Sequence, residues 1–196
     1  MRKISKNTLL NFIILSIFTI IFLVKQNYEF IIYAVTIGLL IYVIEKTNKR
    51  FGYSRIAKYG FSLWLLVHFL GGLIYVNGIR LYDLVLIPIL GEPFNILKYD
   101  QVLHFYIYIV LTLFIYSIVM SMADKKANRI VLYIIIILAG SSLGAVNEVI
   151  EFFAVVFFDA GATVGGYYNT ALDLVFNLLG AIVAVFLAML FPKKDS

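Results

Sequence analysis

Residues 129–157 read RIVLYIIIILAGSSLGAVNEVIEFFAVVF, and this stretch decides the fold. From Ile130 to Asn147 there is no charged side chain. A helix needs about 20 mostly apolar residues to cross the hydrocarbon core of a bilayer, and a domain of this size has no core that could hide such a run. Lipid has no hydrogen-bond partners for a free backbone, so the stretch must be helical. Its far end nevertheless carries Glu148 and Glu151, two acids one helical turn apart. The stretch thus sets two questions: how many such spans there are, and why carboxyls lie inside one.

Working outward, five further stretches meet the length requirement. The expected spans are residues 7–25, 28–45, 59–79, 101–122, 129–157 and 170–191, an all-α transmembrane bundle forming a single domain over residues 1–196. The fifth is long for a straight crossing and is expected to tilt or to pass the interface. The first run follows Arg2, Lys3 and Lys6 as a signal peptide would. It has no small-residue cleavage site before Lys25, Gln26 and Asn27, and reads as an uncleaved span. Among the linkers, 46–58 is basic and interfacial. Residues 80–100 contain the apolar piece Leu84 to Leu90, expected to lie on or dip into the outer surface. Residues 158–169 are Gly-rich and expected to form a mobile loop. Gly71, Gly72, Gly140, Gly144 and Gly180 read as points of close helix packing.

Composition agrees. The chain is 63% hydrophobic with a mean hydropathy of +0.99, against about 45–50% apolar residues in soluble domains. The absence of cysteine excludes disulfides, thiolate metal sites and cysteine nucleophiles. The net charge of +5 reads as topology and not as nucleic-acid binding. With both termini in the cytoplasm, 13 of the 16 basic residues fall on the inner side, leaving only Lys25, Arg80 and Lys98 outside. That bias is what orients membrane proteins. The acids run the other way: eight of 11 lie in outer loops or within spans, namely Glu29, Asp83, Glu92, Asp100, Glu148, Glu151, Asp159 and Asp173. Acidic residues contribute little to orientation, so topology does not explain the excess.

Spacing groups these residues. Asp100 and His104 share a face of the fourth span, and Glu148 and Glu151 a face of the fifth. Asn147 and Glu151 are four apart, as are Asp173 and Asn177 on the sixth span. His68 falls within the third, roughly 16 Å below its outer end at 1.5 Å per residue. Alternating span direction brings all of them toward one level near the outer face, where no lysine or arginine is expected beside the glutamates. An ionised side chain within a span costs about 2.5–3.5 kcal/mol on insertion scales. The carboxyls therefore carry a proton, pair with protonated histidine, or hold a cation. Carboxylates with imidazole suit zinc, manganese or iron, and equally a proton relay. The plainer alternatives are a hydrogen-bonded acid pair between helices for Glu148 and Glu151, N-capping by Asp100, N-capping and interhelical hydrogen bonding for Asp173 and Asn177, an interfacial position without a ligand role for His104, and an interhelical hydrogen bond for His68.

Four segments carry a resemblance: VHFLGGLIYVNG at 67–78, YDQVLHF at 99–105, NEVIEFF at 147–153 and NTALDLVFNLLGA at 169–181. In that order they resemble the VanZ-like superfamily of bacterial membrane proteins, and more closely its YjdF-type branch. The resemblance runs from the third span to the C-terminus. It implies a multi-pass protein of the bacterial plasma membrane whose characteristic polar residues are His68, Asp100, His104, Glu148, Glu151 and Asp173. The superfamily's association with glycopeptide tolerance implies work near the cell envelope. The branch tends to carry an acid four residues before its last aspartate, where this chain has Asn169, so a metal site here would be weaker or differently built.

The resulting expectation is an outward-facing pocket acting on an envelope or lipid-linked substrate by metal-assisted hydrolysis or transfer. His68, His104, Glu151 and Asp173 would be ligands and Glu148 the general base, with Asp100, Asn147 and Asn177 completing the pocket. A small proton-coupled transporter and a non-catalytic membrane scaffold are the alternatives. Transport predicts a polar path to the inner face and an inverted repeat, neither of which the sequence offers.

Overall fold

The computed structural model describes residues 4–158 and 166–191. Residues 159–165 of the Gly-rich segment, including Asp159, lie outside the described residues, as do Arg2, Lys3, Lys193, Lys194 and Asp195.

The chain is an all-α membrane protein whose described residues form six helices long and apolar enough to cross a bilayer. They are α1 (Lys6–Val24), α2 (Tyr28–Phe51), α3 (Arg55–Leu73), α4 (Tyr99–Met122), α5 (Arg129–Phe158) and α6 (Tyr167–Leu190). Their starts follow from local chemistry. Ser5, Asn27 and Ser54 each accept a hydrogen bond from the backbone N–H three residues on, at Thr8, Phe30 and Ala57. Asn128 Oδ1 accepts from Ile130 N at 2.9 Å and opens α5 in the same way. Such caps satisfy otherwise orphaned donors and contribute about 0.5–2 kcal/mol each. At the other end of α2, Gly52 adopts φ 56°, a left-handed closure that a Cβ would strain.

Several boundaries differ from the sequence reading: α4 begins at Tyr99, and α5 runs to Phe158 and α6 begins at Tyr167, both inside the segment expected as a loop. The helix expected over 59–79 starts at Arg55 and stops at Leu73. Beyond it Tyr75–Val76 (β1) pairs antiparallel with Ile79–Arg80 (β2) around Asn77 (φ 51°) and Gly78 (φ 81°). Two positive φ values in a two-residue Asn-Gly turn are what a tight hairpin requires, and apolar content alone had carried the expected span through it. Helix α2 continues past Glu45 to Phe51 and α3 begins at Arg55, so most of the basic linker is helix, and long cationic side chains can carry their charges beyond the apolar zone. The apolar piece Leu84 to Leu90 is irregular. It is held to the start of α4 by Leu86 N to Leu97 O and Tyr99 N to Leu84 O, both 2.9 Å, and exposes Ile87, Ile89 and Leu90.

The helices form two groups. Helices α1 to α3 enclose an aromatic core in which Phe22 stacks on Phe30 at 4.4 Å between ring centroids and Phe18 on Phe69 at 5.1 Å. Helices α4 to α6 pack through small residues. A Cβ on Gly180 of α6 would lie 2.4 Å from the backbone oxygen of Phe105 on α4, and one on Gly140 of α5 would meet Thr112 Oγ1 at 2.1 Å. Helix α4 joins the groups by packing on α3 as well as on α5 and α6. The outward faces are apolar, with Ile20, Leu39, Ile130, Phe152 and Phe186 all well exposed, as a lipid-facing surface demands.

Candidate functional site

The polar residues gather at the end of the bundle where α3 finishes, α4 and α6 begin and α5 nears its end. Helix α4 contributes Asp100, Gln101 and His104. Gln101 is fully buried, and its Oε1 accepts from Leu97 N at 2.7 Å and Lys98 N at 3.1 Å, closing the start of the helix. This anchors the turn on which Asp100 and His104 stand.

His104 is the centre. Its Nδ1–H donates to Asn177 Oδ1 on α6 at 2.9 Å. An amide oxygen only accepts, so this bond assigns the ring proton to Nδ1. Nε2 then turns its lone pair toward Asp100 Oδ1, 3.6 Å away, while Glu148 Oε1 on α5 lies 3.9 Å from Nδ1. A lone pair and a carboxylate facing each other in a buried site are reconciled by positive charge between them, either a proton on the ring or a metal ion. Asp173, wholly buried on α6, accepts from Asn169 Nδ2 at 2.7 Å, and the same amide reaches Asp100 Oδ2 at 3.4 Å. On α5, Asn147 Nδ2 donates to Glu151 Oε1 at 2.7 Å.

Two sets of ligating atoms fall within 4.8 Å of one another: Asp100, His104 and Asp173; and His104, Glu148 and Glu151. Ligands on a zinc ion lie about 2.0–2.2 Å from the metal and hence at most about 4.4 Å apart. Small side-chain adjustments would bring either set onto one ion. Both oxygens of Glu148 and Oδ1 of Asp173 are buried without a hydrogen-bond partner. Buried carboxyl oxygens in that condition are costly unless something binds them.

His68 stands apart from both sets. Its Nδ1 is hydrogen-bonded to the Tyr82 hydroxyl, its ring stacks on Trp64 at 4.8 Å, and Nε2 is buried without a partner. With α3 ending at Leu73, His68 is five residues from the helix end, about 7.5 Å and not 16 Å. Burial, and then the nearby Asp100 carboxylate, push the Tyr82 phenol well above the usual tyrosine range, so it stays a neutral hydroxyl. Two basic residues also come closer than the spacing implied. Lys98 Nζ donates to Asn169 Oδ1 at 3.3 Å, next to Asp100 and Asp173. Arg80 lines the same cavity as Asp100 and Glu151. Gln101 and Tyr82 went unremarked in the sequence, and Arg80 was noted only for its outer position, because each lies outside an i, i+4 pairing of acids and histidines.

The cluster borders a cavity of about 410 Å³. Its polar end is formed by His68, Arg80, Asp100, His104, Asn147 and Glu151, and its remaining wall is almost entirely apolar.

Residues 7–194 match the family described as "Predicted membrane protein (DUF2238)", and the chain belongs to it. No curated protein and no solved structure matches the chain.

Proposed function

We propose that this membrane protein holds a divalent metal ion in the carboxylate–histidine cluster and uses it to hydrolyse or transfer a group on a lipid-linked envelope substrate. His104 is the shared ligand, completed by Asp100 and Asp173 on one side or by Glu151 and Glu148 on the other. In the first arrangement Glu148 stays free as a general base toward a metal-bound water. His68, held by Tyr82, serves the cavity as a hydrogen-bond donor and not as a ligand. The bacterial plasma membrane as location, both termini in the cytoplasm, a single transmembrane domain and kinship to the VanZ-like superfamily through its YjdF-type branch belong to the same reading. The basic residues at the opposite end of the bundle support its orientation.

The observation that carries the reading is His104 itself: one buried imidazole, fixed by Asn177, within ligand distance of carboxylates from three helices. The Asn177 bond acts as an outer-shell partner that selects the tautomer with Nε2 available. The exchange of a family acid for Asn169 leaves Asp173 with an amide donor in place of a repelling neighbour.

The test is the metal content of the full-length protein purified in detergent and exposed in turn to zinc, manganese and iron, measured by mass spectrometry. Near-stoichiometric metal is expected in the wild type and its loss in His104→Ala and Glu151→Ala. Absence of metal under every loading condition overturns the proposal and favours a proton-carrying cluster serving transport or structure.

A further inference from the structure

We infer that the cavity beside the cluster is the seat of the substrate's hydrocarbon chain, and that the substrate is a single-chain lipid phosphate entering sideways from the bilayer between α2 and α5. This deepens the reading of the cluster as the reacting site and rests on it for the chemistry at the polar end.

Three observations support it. First, the cavity runs along the helices and not across them. Its wall on α2 extends from Phe30 to Val43 and on α5 from Glu151 back to Leu143, about 20 Å and 12 Å of helix respectively. A slot extending from the acids toward mid-bundle matches an extended chain lying parallel to the lipid tails. Its volume of about 410 Å³ lies low in the roughly 300–1,000 Å³ range of small-molecule sites, room for one chain and not a diacyl pair.

Second, the slot opens to lipid. Four of its wall residues are also exposed on the bundle's outer surface: Leu39 at 63% and Val43 at 45% on α2, Leu143 at 39% and Val146 at 54% on α5. Helices α2 and α5 approach there without close packing, whereas α4 is tightly packed on α6. A chain can therefore pass between α2 and α5 without leaving an apolar medium, while the wet route would take it past charged groups.

Third, the polar end offers donors suited to a phosphate. The Arg80 side chain is only 10% exposed, and Asp83 accepts from its Nε at 3.0 Å and from a terminal nitrogen at 3.5 Å, which fixes the guanidinium charge at the cavity wall. A guanidinium is always charged and carries five N–H donors, and phosphate is among the anions it recognises. His68 Nε2 is buried without a partner, and in the tautomer whose Nδ1 accepts from the Tyr82 hydroxyl it carries the ring proton. A cation donor and a neutral N–H donor thus flank the acids, and a phosphate held by them lies beside the proposed metal.

The chain's one tryptophan, Trp64, forms part of the cavity wall and reports on it directly. The experiment titrates the full-length protein in detergent with a dodecyl phosphate brominated along its chain and follows quenching of Trp64 fluorescence. Saturable quenching is expected, competed by unbrominated dodecyl phosphate but not by inorganic phosphate or neutral dodecyl maltoside. Arg80→Gln should weaken it at least tenfold. Val146→Phe, which narrows the slot from its lipid-facing side, should do the same and serves if Arg80→Gln does not fold. Equal quenching by a brominated dodecyl maltoside, unchanged in Arg80→Gln, overturns the proposal by making the slot a general apolar space. Competition by inorganic phosphate alone overturns it too, since the head would then bind without the chain. Metal measured on the same samples separates the two readings. Saturable quenching without metal keeps the lipid site and removes the metalloenzyme, and stoichiometric metal without quenching does the opposite.

Discussion

His104 Nδ1 and Asn177 Oδ1 are joined at 2.9 Å, and the amide nitrogen of that same asparagine occupies the space a side chain at residue 144 would need. The imidazole's orientation is therefore set from two helices at once, by a hydrogen bond from α6 and by the absence of a Cβ on α5. Asn177→Ala removes the acceptor and leaves Nδ1–H unpaired in a buried place, expected to cost about 1–3 kcal/mol of stability. Loss of an outer-shell partner should also weaken metal binding about 10–100-fold. Thermal unfolding and metal titration on one preparation check both; unchanged metal affinity would show that Asn177 does not orient the ligand.

Gly144→Ala reaches the same bond from the other side. The added Cβ would stand 2.4 Å from Asn177 Nδ2, so Asn177 must turn. Overpacking of this kind costs about 1–3 kcal/mol. Metal affinity should fall in parallel with Asn177→Ala, and the double variant should be less than additive, because the two changes break one interaction.

Gly180→Ala is expected to be the most damaging of the glycine changes, since the Cβ would meet the Phe105 carbonyl at 2.4 Å and a helix backbone cannot yield as a side chain can. Gly38→Ala is its control: the nearest atom is Leu15 Cδ2 at 3.4 Å, ordinary contact, and the change should be neutral or gain up to about 1 kcal/mol of helix propensity. Melting temperatures of the two in the same detergent decide it.

Glu148→Gln and Glu151→Gln distinguish a functional cluster from a structural one. Both oxygens of Glu148 are buried without partners, so replacing the acid by a neutral amide should leave the melting temperature unchanged or raise it. A fall of several degrees in both variants would mean that the acids hold the bundle together, and the site reading would fail.

The Tyr82 phenol gives a pH dependence of known sign. Its proton is held more tightly in the folded chain than at the unfolded value of 10.0, because burial and then Asp100 oppose the phenolate. The stability this represents is complete below pH 10 and is lost as pH rises beyond it. Thermal unfolding between pH 9 and 11 should therefore steepen in the wild type and flatten in Tyr82→Phe. Tyr82→Phe should in addition lower stability at pH 7 by about 0.5–1.5 kcal/mol for the lost bond to His68.

The sequence exposed the six helices because each is an unbroken apolar run, and a run of that length has one physical solution in lipid. Less visible was where α3 stops: hydropathy continues through Tyr75 and Val76, and only the Asn77–Gly78 pair marks the hairpin. The meeting of Asp100, His104, Asp173 and the two glutamates was legible because charge inside a span is rare and helical spacing fixes faces. Trp64, Tyr82 and Gln101 were not, since aromatic and amide residues are ordinary in a membrane helix until neighbours are known. Nor could the slot between α2 and α5 be read, because a gap is a property of two surfaces that fail to touch.

That slot lies along the seam between the two helix groups, so the site is divided between two parts of one chain. The acids and His104 come from α4 to α6, while Phe30, Tyr33, Trp64 and His68 belong to α1 to α3. During synthesis the part of the wall that α2 and α3 supply is made before the first of the ligands. Neither half alone can present chain and head to one another, so recognition of a ligand becomes a property of assembly, and a gene cut in the 84–98 linker would have to reunite its two products in the bilayer before the site existed at all.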